Sequence, residues 1–98
     1  MPDKRLSLLS IAAKAGFVRS GSFAARESIR SGEAKLVIIS EDASENTKKK
    51  FTDKSNHYKV RFLICGMMDE LGRLIGKDER SVLVVTDSGM ADSIYSKF

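Results

Sequence analysis

The chain has 98 residues, of which 42% are apolar and 31% charged, so its composition excludes a disordered or low-complexity protein and predicts a single domain over residues 1–98. Its 17 Lys and Arg residues exceed its 13 Asp and Glu residues, and the net charge of +4 fits a polyanionic partner. A lone cysteine excludes an intramolecular disulfide, and no long apolar span or signal-peptide pattern is present, so we expect a cytoplasmic protein with no membrane partner.

The first predicted element is a helix in the segment that follows Pro2. Leu6, Leu9 and Ala13 recur at helical spacing, and Gly16 is placed where a helix would stop. We therefore expect a mostly buried N-terminal helix.

The second predicted helix lies between two copies of the tripeptide Arg-Ser-Gly. At its end, Gly32 follows the helical pattern and precedes a strand, so it suits the left-handed position that terminates a helix. At its start, Ser20 or Ser22 can cap the helix, while Gly21 lets the backbone come close to a ligand. The start of this helix is therefore the end at which we look for function.

Three short apolar runs predict strands, at residues 36–39, 62–65 and 82–85. They are continuous and rich in β-branched residues, which is typical of strands covered on both faces. Residues 43–58 and 67–76 are long enough for helices between them, and Asp87-Ser88 begins a short closing helix. This order of elements predicts an α/β fold with three layers.

The start of the second helix carries a pattern that suits an anion. A helix N-terminus presents unpaired N–H groups and the positive end of the dipole. Ser22, Arg26 and Arg30 follow one helical face behind Arg19. This spacing favours contact with a phosphate backbone, with a solvated helix face and an ordinary cap as the alternative. Phe23 fits either a core position or a stacking surface for an unpaired base.

The lysine run at residues 48–50 follows acidic residues and Ser44, which is predicted to cap a helix. The helix dipole favours this order of charges in its first turns, and we expect the run to form a solvated surface.

Residues 72–78 resemble a phosphate-binding loop at first sight. The glycine spacing is one residue short, and Asp78 replaces the Ser or Thr that would hold Mg²⁺, so we exclude a P-loop. Instead, Gly76 is predicted to end a helix and Gly72 to allow close packing. Lys77 and Arg80 then lie in a charged loop before the last strand.

Catalysis and metal binding have little support in the sequence. His57 is the only histidine, and Cys65 lies in an apolar run where it is expected to be an inert core thiol. No metal-ligand spacing or paired-carboxylate arrangement is present. We expect a protein that is not an enzyme and has no cofactor and no metal.

Two stretches carry a family resemblance: residues 34–39 (AKLVII) followed by Glu41-Asp42, and the Leu71-Gly72 pair with Gly76 behind it. In these two stretches the chain resembles the kink-turn RNA-binding ribosomal-protein family of L-seven-Ae and L-thirty-e, especially its small bacterial YlxQ-like members. The resemblance extends over almost the whole chain. The resemblance implies a three-layer α/β/α sandwich around a four-stranded mixed sheet. A short strand near Phe17-Val18 would be the fourth strand.

The resemblance also implies RNA binding, through the start of the second helix and the loop between the fourth helix and the last strand. Carried over to this sequence, that surface comprises Arg19, Ser20, Gly21, Ser22, Phe23, Arg26, Lys77 and Arg80.

The sequence departs from the kink-turn binders at their base-reading positions. Phe23-Ala24 stand where those proteins have Asn-Glu, and Arg26-Glu27 stand where they have Thr-Lys. The charged residues 77–80 replace a largely apolar contact loop. Contacts that position phosphates do not depend on the missing Asn-Glu pair, whereas recognition of a kink-turn RNA does.

Two hypotheses follow from the sequence. The first is a non-enzymatic RNA-binding protein that docks structured RNA, a kink-turn RNA being one candidate, in association with the ribosome or translation factors. The alternative is a protein-interaction module of the translation apparatus that kept the fold without base-specific readout and uses Phe23 as an exposed anchor.

Overall fold

The computed structural model describes residues 3–98. A 3-10 turn at Lys4–Leu6 precedes the regular elements. These are α1 (Leu8–Lys14), β1 (Val18–Ser20), α2 (Ser22–Ser31), β2 (Leu36–Ile39), α3 (Glu45–His57), β3 (Arg61–Ile64), α4 (Met68–Leu74), β4 (Val82–Val85) and α5 (Ser88–Tyr95).

Two helices begin at the side-chain caps that the sequence predicts. The Ser44 side chain accepts a hydrogen bond from the Thr47 N–H at 3.1 Å at the start of α3. The Asp87 side chain accepts one from the Met90 N–H at 2.9 Å at the start of α5. Each contact satisfies one of the N–H groups that the first turn of a helix leaves without a partner.

The four strands form one mixed sheet in the order β1-β4-β2-β3. β1 and β2 both run antiparallel to β4, and β3 runs parallel to β2. The predicted fourth strand is confirmed, one residue further along the chain than expected, at Val18–Ser20. The predicted mixed sheet is therefore correct in strand number and in type.

Helices cover both faces of the sheet, so the predicted three-layer architecture is confirmed. α1, α4 and α5 pack on the face that presents Leu36 and Ile38 of β2. α2 and α3 pack on the face that presents Val37 and Ile39. Because both faces are covered, β2 and β4 are buried along their whole length, as their continuous apolar sequences predict.

The third strand differs from its prediction. It spans Arg61–Ile64 rather than residues 62–65, and its two end residues are exposed. The expectation that it is covered on both faces holds only in part. Leu63 packs against one helical layer and Phe62 against the other, whereas Arg61 and Ile64 are exposed on this edge strand. Cys65 follows the strand and is buried all the same.

The pairing of β1 with β4 decides which loops meet. Ser20, the last residue of β1, lies opposite Leu83 near the start of β4. The start of α2 and the loop before β4 therefore emerge at the same end of the sheet. The starts of β2 and β3 lie at the opposite end, where Leu36 pairs with Arg61.

Candidate nucleic-acid interface

The N-terminus of α2 is open, and its N-cap is a glycine. Gly21 has φ +93° and ψ 159°, a conformation that is almost restricted to glycine. No side chain caps the helix, and the N–H groups of residues 22–24 have no hydrogen-bond partner within residues 3–98. A Cβ at Gly21 would meet nothing within 4 Å, so backbone conformation and not crowding requires the glycine.

Neither of the serines that can cap this helix in the sequence does so, and the structure gives the reason for both. Ser22 is the first helical residue and lies past the N-cap position. Ser20 is the last residue of β1, and its Oγ accepts a hydrogen bond from Arg80 Nε at 3.2 Å. With neither hydroxyl on the helix end, its N–H groups remain available to an anion.

The hydrogen bond between Arg80 and Ser20 brings the two sequence-predicted segments together. Arg80 also donates from Nη1 to the Asp78 and Glu79 carbonyls, at 3.1 and 2.9 Å. Its Nη2 makes no hydrogen bond within the described part of the chain. Arg80 thus uses most of its hydrogen-bond donors to position this loop.

Gly72 allows the same loop to pack closely against α4. A Cβ at Gly72 would lie 2.0 Å from the carbonyl oxygen of Asp78, so only glycine allows the loop to fold back on α4. The Lys77 N–H donates to the Gly72 carbonyl at 2.8 Å, and the Arg80 N–H donates to the Met68 carbonyl at 3.1 Å. The close packing predicted for Gly72 is confirmed, and its partner is the loop that carries Lys77.

Phe23 is exposed, which decides between the two positions that the sequence allows. Its side chain is 69% exposed on the first turn of α2, so the core alternative is wrong. The Arg26 guanidinium carbon lies 5.8 Å from the centre of the Phe23 ring. Arg26 forms no ion pair with any residue of the range 3–98. An aromatic face and an uncompensated cation therefore adjoin the open helix end.

Arg19 is more constrained than Arg26. Its Nη1 donates to the carbonyls of Gly16 and Val18 at 3.0 and 3.1 Å, and its Nη2 lies 3.5 Å from Glu33 Oε2. Both side chains of this ion pair are about two-fifths exposed, so the pair contributes at most about 1 kcal/mol. Because this ion pair is weak, a phosphate can compete with Glu33 for Arg19.

Arg30, on the last turn of α2, is far from the helix start and already has a partner. It pairs with Glu27 three residues earlier, and this hydrogen bond lowers the pKa of the Glu27 carboxyl. The lysine run of α3 is a solvated surface, as predicted, with Lys48 near Glu45 and Lys49 near Asp53. The cation at the open helix end is therefore Arg26, whereas the Arg19 guanidinium lies beside Glu33, past the last turn of α2. Lys77 is exposed in the loop before β4.

Cys65 and His57 belong to no group of side chains able to bind a metal ion within residues 3–98. Burial raises the pKa of the Cys65 thiol to about 12, which suppresses the reactive thiolate. His57 is exposed at the end of α3, and residues 3–98 hold no group of three His, Cys, Asp or Glu side chains able to bind a metal ion. None of the helices in this range is long and apolar enough to cross a membrane.

Comparison with known proteins gives concordant results. The model of the family described as ribosomal protein L7Ae/L30e/S12e/Gadd45 matches residues 3–95. The chain is 47% identical over 89 residues to a Bacillus subtilis (strain 168) protein named RNA-binding protein YlxQ, covering 91% of this chain and 89% of the relative. An Enterococcus faecium protein of the same name is 39% identical over 89 residues, covering 91% and 85%.

Solved structures are similar throughout the chain. A protein of unknown function from Bacillus halodurans C superposes with a TM-score of 0.91 at 39% identity, covering 95% of this chain and 94% of that one. A 15.5kD RNA binding protein from Giardia lamblia superposes with a TM-score of 0.79 at 20% identity, covering 93% and 78%. The similarity to the Giardia lamblia protein shows a shared fold.

Proposed function

The chain belongs to the ribosomal protein L7Ae/L30e/S12e/Gadd45 family, and from this membership we propose that it binds RNA at the start of α2. The supporting observation is the open end of that helix, where unpartnered N–H groups adjoin Phe23 and Arg26. The names of the two YlxQ relatives support the same class of ligand.

The proposed contacts divide into phosphate binding and stacking. A phosphate oxygen accepts hydrogen bonds from the N–H groups of residues 22–24, with the guanidinium group of Arg26 beside it. Arg19, which lies near Glu33, contacts a phosphate further along α2. Phe23 stacks on an unpaired base, which suits a structured RNA with a loop or a bulge. Lys77 contributes charge from the second loop, while Ser20 and Arg80 position that loop.

The residues at the helix start favour recognition through the RNA backbone. Phe23-Ala24 have no side-chain amide or carboxylate, so they offer no hydrogen bonds to base edges. The charged loop of residues 77–80 likewise presents polar groups where an apolar wedge would pack on a bulge. We therefore propose docking on structured RNA, with a kink-turn RNA as the first to be tested for selectivity.

The setting that we propose follows from the family. The chain acts as a single domain over residues 1–98, is not an enzyme, and works in the cytoplasm on ribosomal RNA or beside translation factors.

The exposed Phe23 also favours the second candidate function, a protein-interaction module. An aromatic side chain that is 69% exposed is a suitable anchor for a partner's pocket. The two functions differ in the residues on which they depend. RNA binding depends on the cations and on Phe23, whereas a protein interface anchored by Phe23 survives reversal of the two arginine charges.

The proposed function is tested with the double variant Arg19→Glu and Arg26→Glu. Its control is Lys4→Glu with Lys97→Glu, which makes the same charge change on the helical layer opposite α2. Affinity for a kink-turn RNA and for a plain RNA duplex is measured against salt. We expect a steep salt dependence in the wild type and its loss only in the arginine variant. Equal affinities of the two variants for RNA would refute the proposal.

A further inference from the structure

A basic cleft opens at the end of the sheet opposite the start of α2. It lies between the last turns of α2 and α3 and the starts of β2 and β3, and its volume is about 440 Å³, a size typical of ligand sites. Four basic residues line it, together with Tyr58, which is 42% exposed. The cations are Arg30, Lys35, Lys59 and Arg61. The guanidinium group of one of them, Arg61, lies over the ring of Tyr95 in α5, so its charge faces away from α2.

The positive charge of this basic cleft is only partly compensated. Arg30 pairs with Glu27 and Arg61 pairs with Asp92, but neither carboxylate lines the cleft. The Lys35 ammonium donates to the Gly32 carbonyl at 3.3 Å and has no carboxylate partner in the described residues. Lys59 likewise forms no ion pair within residues 3–98.

The backbone at Lys59 gives an independent reason to assign a function to its side chain. Lys59 has φ +58° and is the only non-glycine residue with a positive φ in the described range. It ends α3 in a turn in which its N–H donates to the Asn56 carbonyl and the Val60 N–H donates to the Ser55 carbonyl.

The other helix ends of this kind use glycine. Left-handed residues follow α1, α2 and α4 at Gly16, Gly32 and Gly76. Glycine adopts this conformation without steric cost, whereas a lysine does not. Lys59 thus stands at a position where glycine would make the fold more stable, and it lines the cleft.

We propose that the basic cleft binds phosphate groups of an RNA strand whose first contact is the start of α2; this inference rests on the proposed function. The ten residues of α2 separate the two sites by about 15 Å, at a rise of ~1.5 Å per residue. An RNA strand that runs along α2 reaches both. Tyr58 offers its exposed ring to a base between the cations.

The test uses an RNA hairpin with a single-stranded uridine tail, and a matched hairpin without the tail. The variant is Lys35→Gln with Lys59→Asn, because asparagine tolerates the left-handed conformation and removes the charge. The control is Lys4→Gln with Lys97→Gln, which makes the same charge change on the opposite helical layer. Affinities are measured by fluorescence anisotropy between about 50 and 200 mM salt.

We expect the cleft variant to bind the tailed hairpin about tenfold more weakly than the control at low salt, with a log–log salt slope smaller by about 1.4. On the hairpin without the tail, the two variants should bind alike. Equal affinities and slopes on the tailed hairpin would overturn the inference.

Lys59→Gly separates a binding role from a folding role. We expect it to raise the melting temperature and to weaken binding of the tailed hairpin. A rise in melting temperature with unchanged affinity would overturn the role of Lys59.

Failure of this inference is distinguishable from failure of the proposed function. If Arg19→Glu with Arg26→Glu abolishes binding while the cleft variant matches its control, the cleft is not an RNA contact and the proposed function stands. If the arginine variant binds as the wild type does, the proposed site at α2 is wrong. Uridine monophosphate that shifts the Lys59 and Val60 amide resonances, without any effect of the cleft variant on RNA, would assign the cleft to a free nucleotide and overturn the inference.

Discussion

Arg80 Nε donates a hydrogen bond to Ser20 Oγ at 3.2 Å, and this contact joins residues that are 60 positions apart in the chain. It ties the loop before β4 to the residue that precedes the N-cap of α2. The two segments of the proposed RNA site are therefore aligned by a side chain that need not touch RNA itself.

Ser20→Ala removes this alignment. We expect it to lower the free energy of unfolding by about 1 kcal/mol, because a charged donor loses a half-buried acceptor, and to weaken RNA binding several-fold. Ser10→Ala is the matched control, since Ser10 Oγ donates to the Leu74 carbonyl at 3.0 Å away from the site. Urea unfolding and anisotropy check both effects. Equal RNA affinities of the two variants would contradict a positioning role for Ser20.

Gly21→Ala tests the backbone of the helix start. The φ and ψ of Gly21 are almost closed to alanine, so we expect a loss of about 1–3 kcal/mol of stability or a shift of the first turn, and weaker RNA binding. Gly32→Ala is the comparison, because Gly32 also has a positive φ and open space around it. Both variants should unfold at lower urea concentrations, but only Gly21→Ala should lose affinity for the hairpin without the uridine tail, which does not reach the basic cleft that Gly32 lines. Equal losses of affinity would argue against a specific role for this turn.

Gly72→Ala tests the packing of the second loop. A new Cβ 2.0 Å from the Asp78 carbonyl oxygen must displace backbone, so we expect a destabilisation of about 1–3 kcal/mol together with movement of the loop. Gly89→Ala, in α5, meets only the Asp87 side chain at 3.4 Å and should be close to neutral. Amide chemical shifts of residues 77–80 report the movement. Unchanged shifts in a stable Gly72→Ala protein would refute this account of the loop.

Phe23→Ala separates binding from folding. Because Phe23 is 69% exposed, we expect its removal to leave the melting temperature nearly unchanged. Loss of one base-stacking contact should cost about 1–3 kcal/mol of RNA binding, or roughly 5- to 150-fold in affinity. Ile11→Ala, at an exposed apolar residue of α1, is the control and should leave RNA binding intact. Unaltered RNA binding by Phe23→Ala, with loss of a protein partner, would favour the interaction module.

The buried thiol predicts a dependence of stability on alkaline pH. Burial raises the pKa of Cys65 from 9.0 to about 12, so the folded state favours the neutral thiol. Its contribution to stability is complete below pH 9.0 and is lost as the pH rises towards about 12. We expect the urea midpoint to fall more steeply over this range in the wild type than in Cys65→Ala. Parallel pH profiles of the two proteins would contradict the raised pKa.

The same shift predicts slow chemical labelling of the native protein. At pH 8 a rise in pKa from 9.0 to about 12 lowers the thiolate fraction about a thousandfold. Iodoacetamide should therefore modify Cys65 in urea much faster than in the native state.

Local patterns carried most of the information that the sequence held about the fold. The bounds of β2 and β4 follow from continuous apolar runs, and the starts of α3 and α5 follow from Ser44 and Asp87. In each case the deciding physics acts within a few residues, through burial on both faces of a strand or through a cap that reaches the next turn.

The features that sequence analysis missed depend on contacts between distant segments. Ser20 has the chemistry of a helix cap, but the guanidinium of Arg80 occupies its hydroxyl. The apolar run at residues 62–65 does not reveal that β3 lies at the edge of the sheet. No local signal indicates that Lys59 adopts a left-handed conformation, since glycine is the residue that marks such a turn.

The position of β4 has a consequence for how the protein matures during synthesis. β4 is the last strand to leave the ribosome, yet it lies between β1 and β2 and is hydrogen-bonded to both. Until residues 82–85 emerge, β1 has no partner strand and the loop bearing Arg80 has nothing to hold it beside Ser20. The two segments of the proposed RNA site are therefore held together only once β4 has paired with β1.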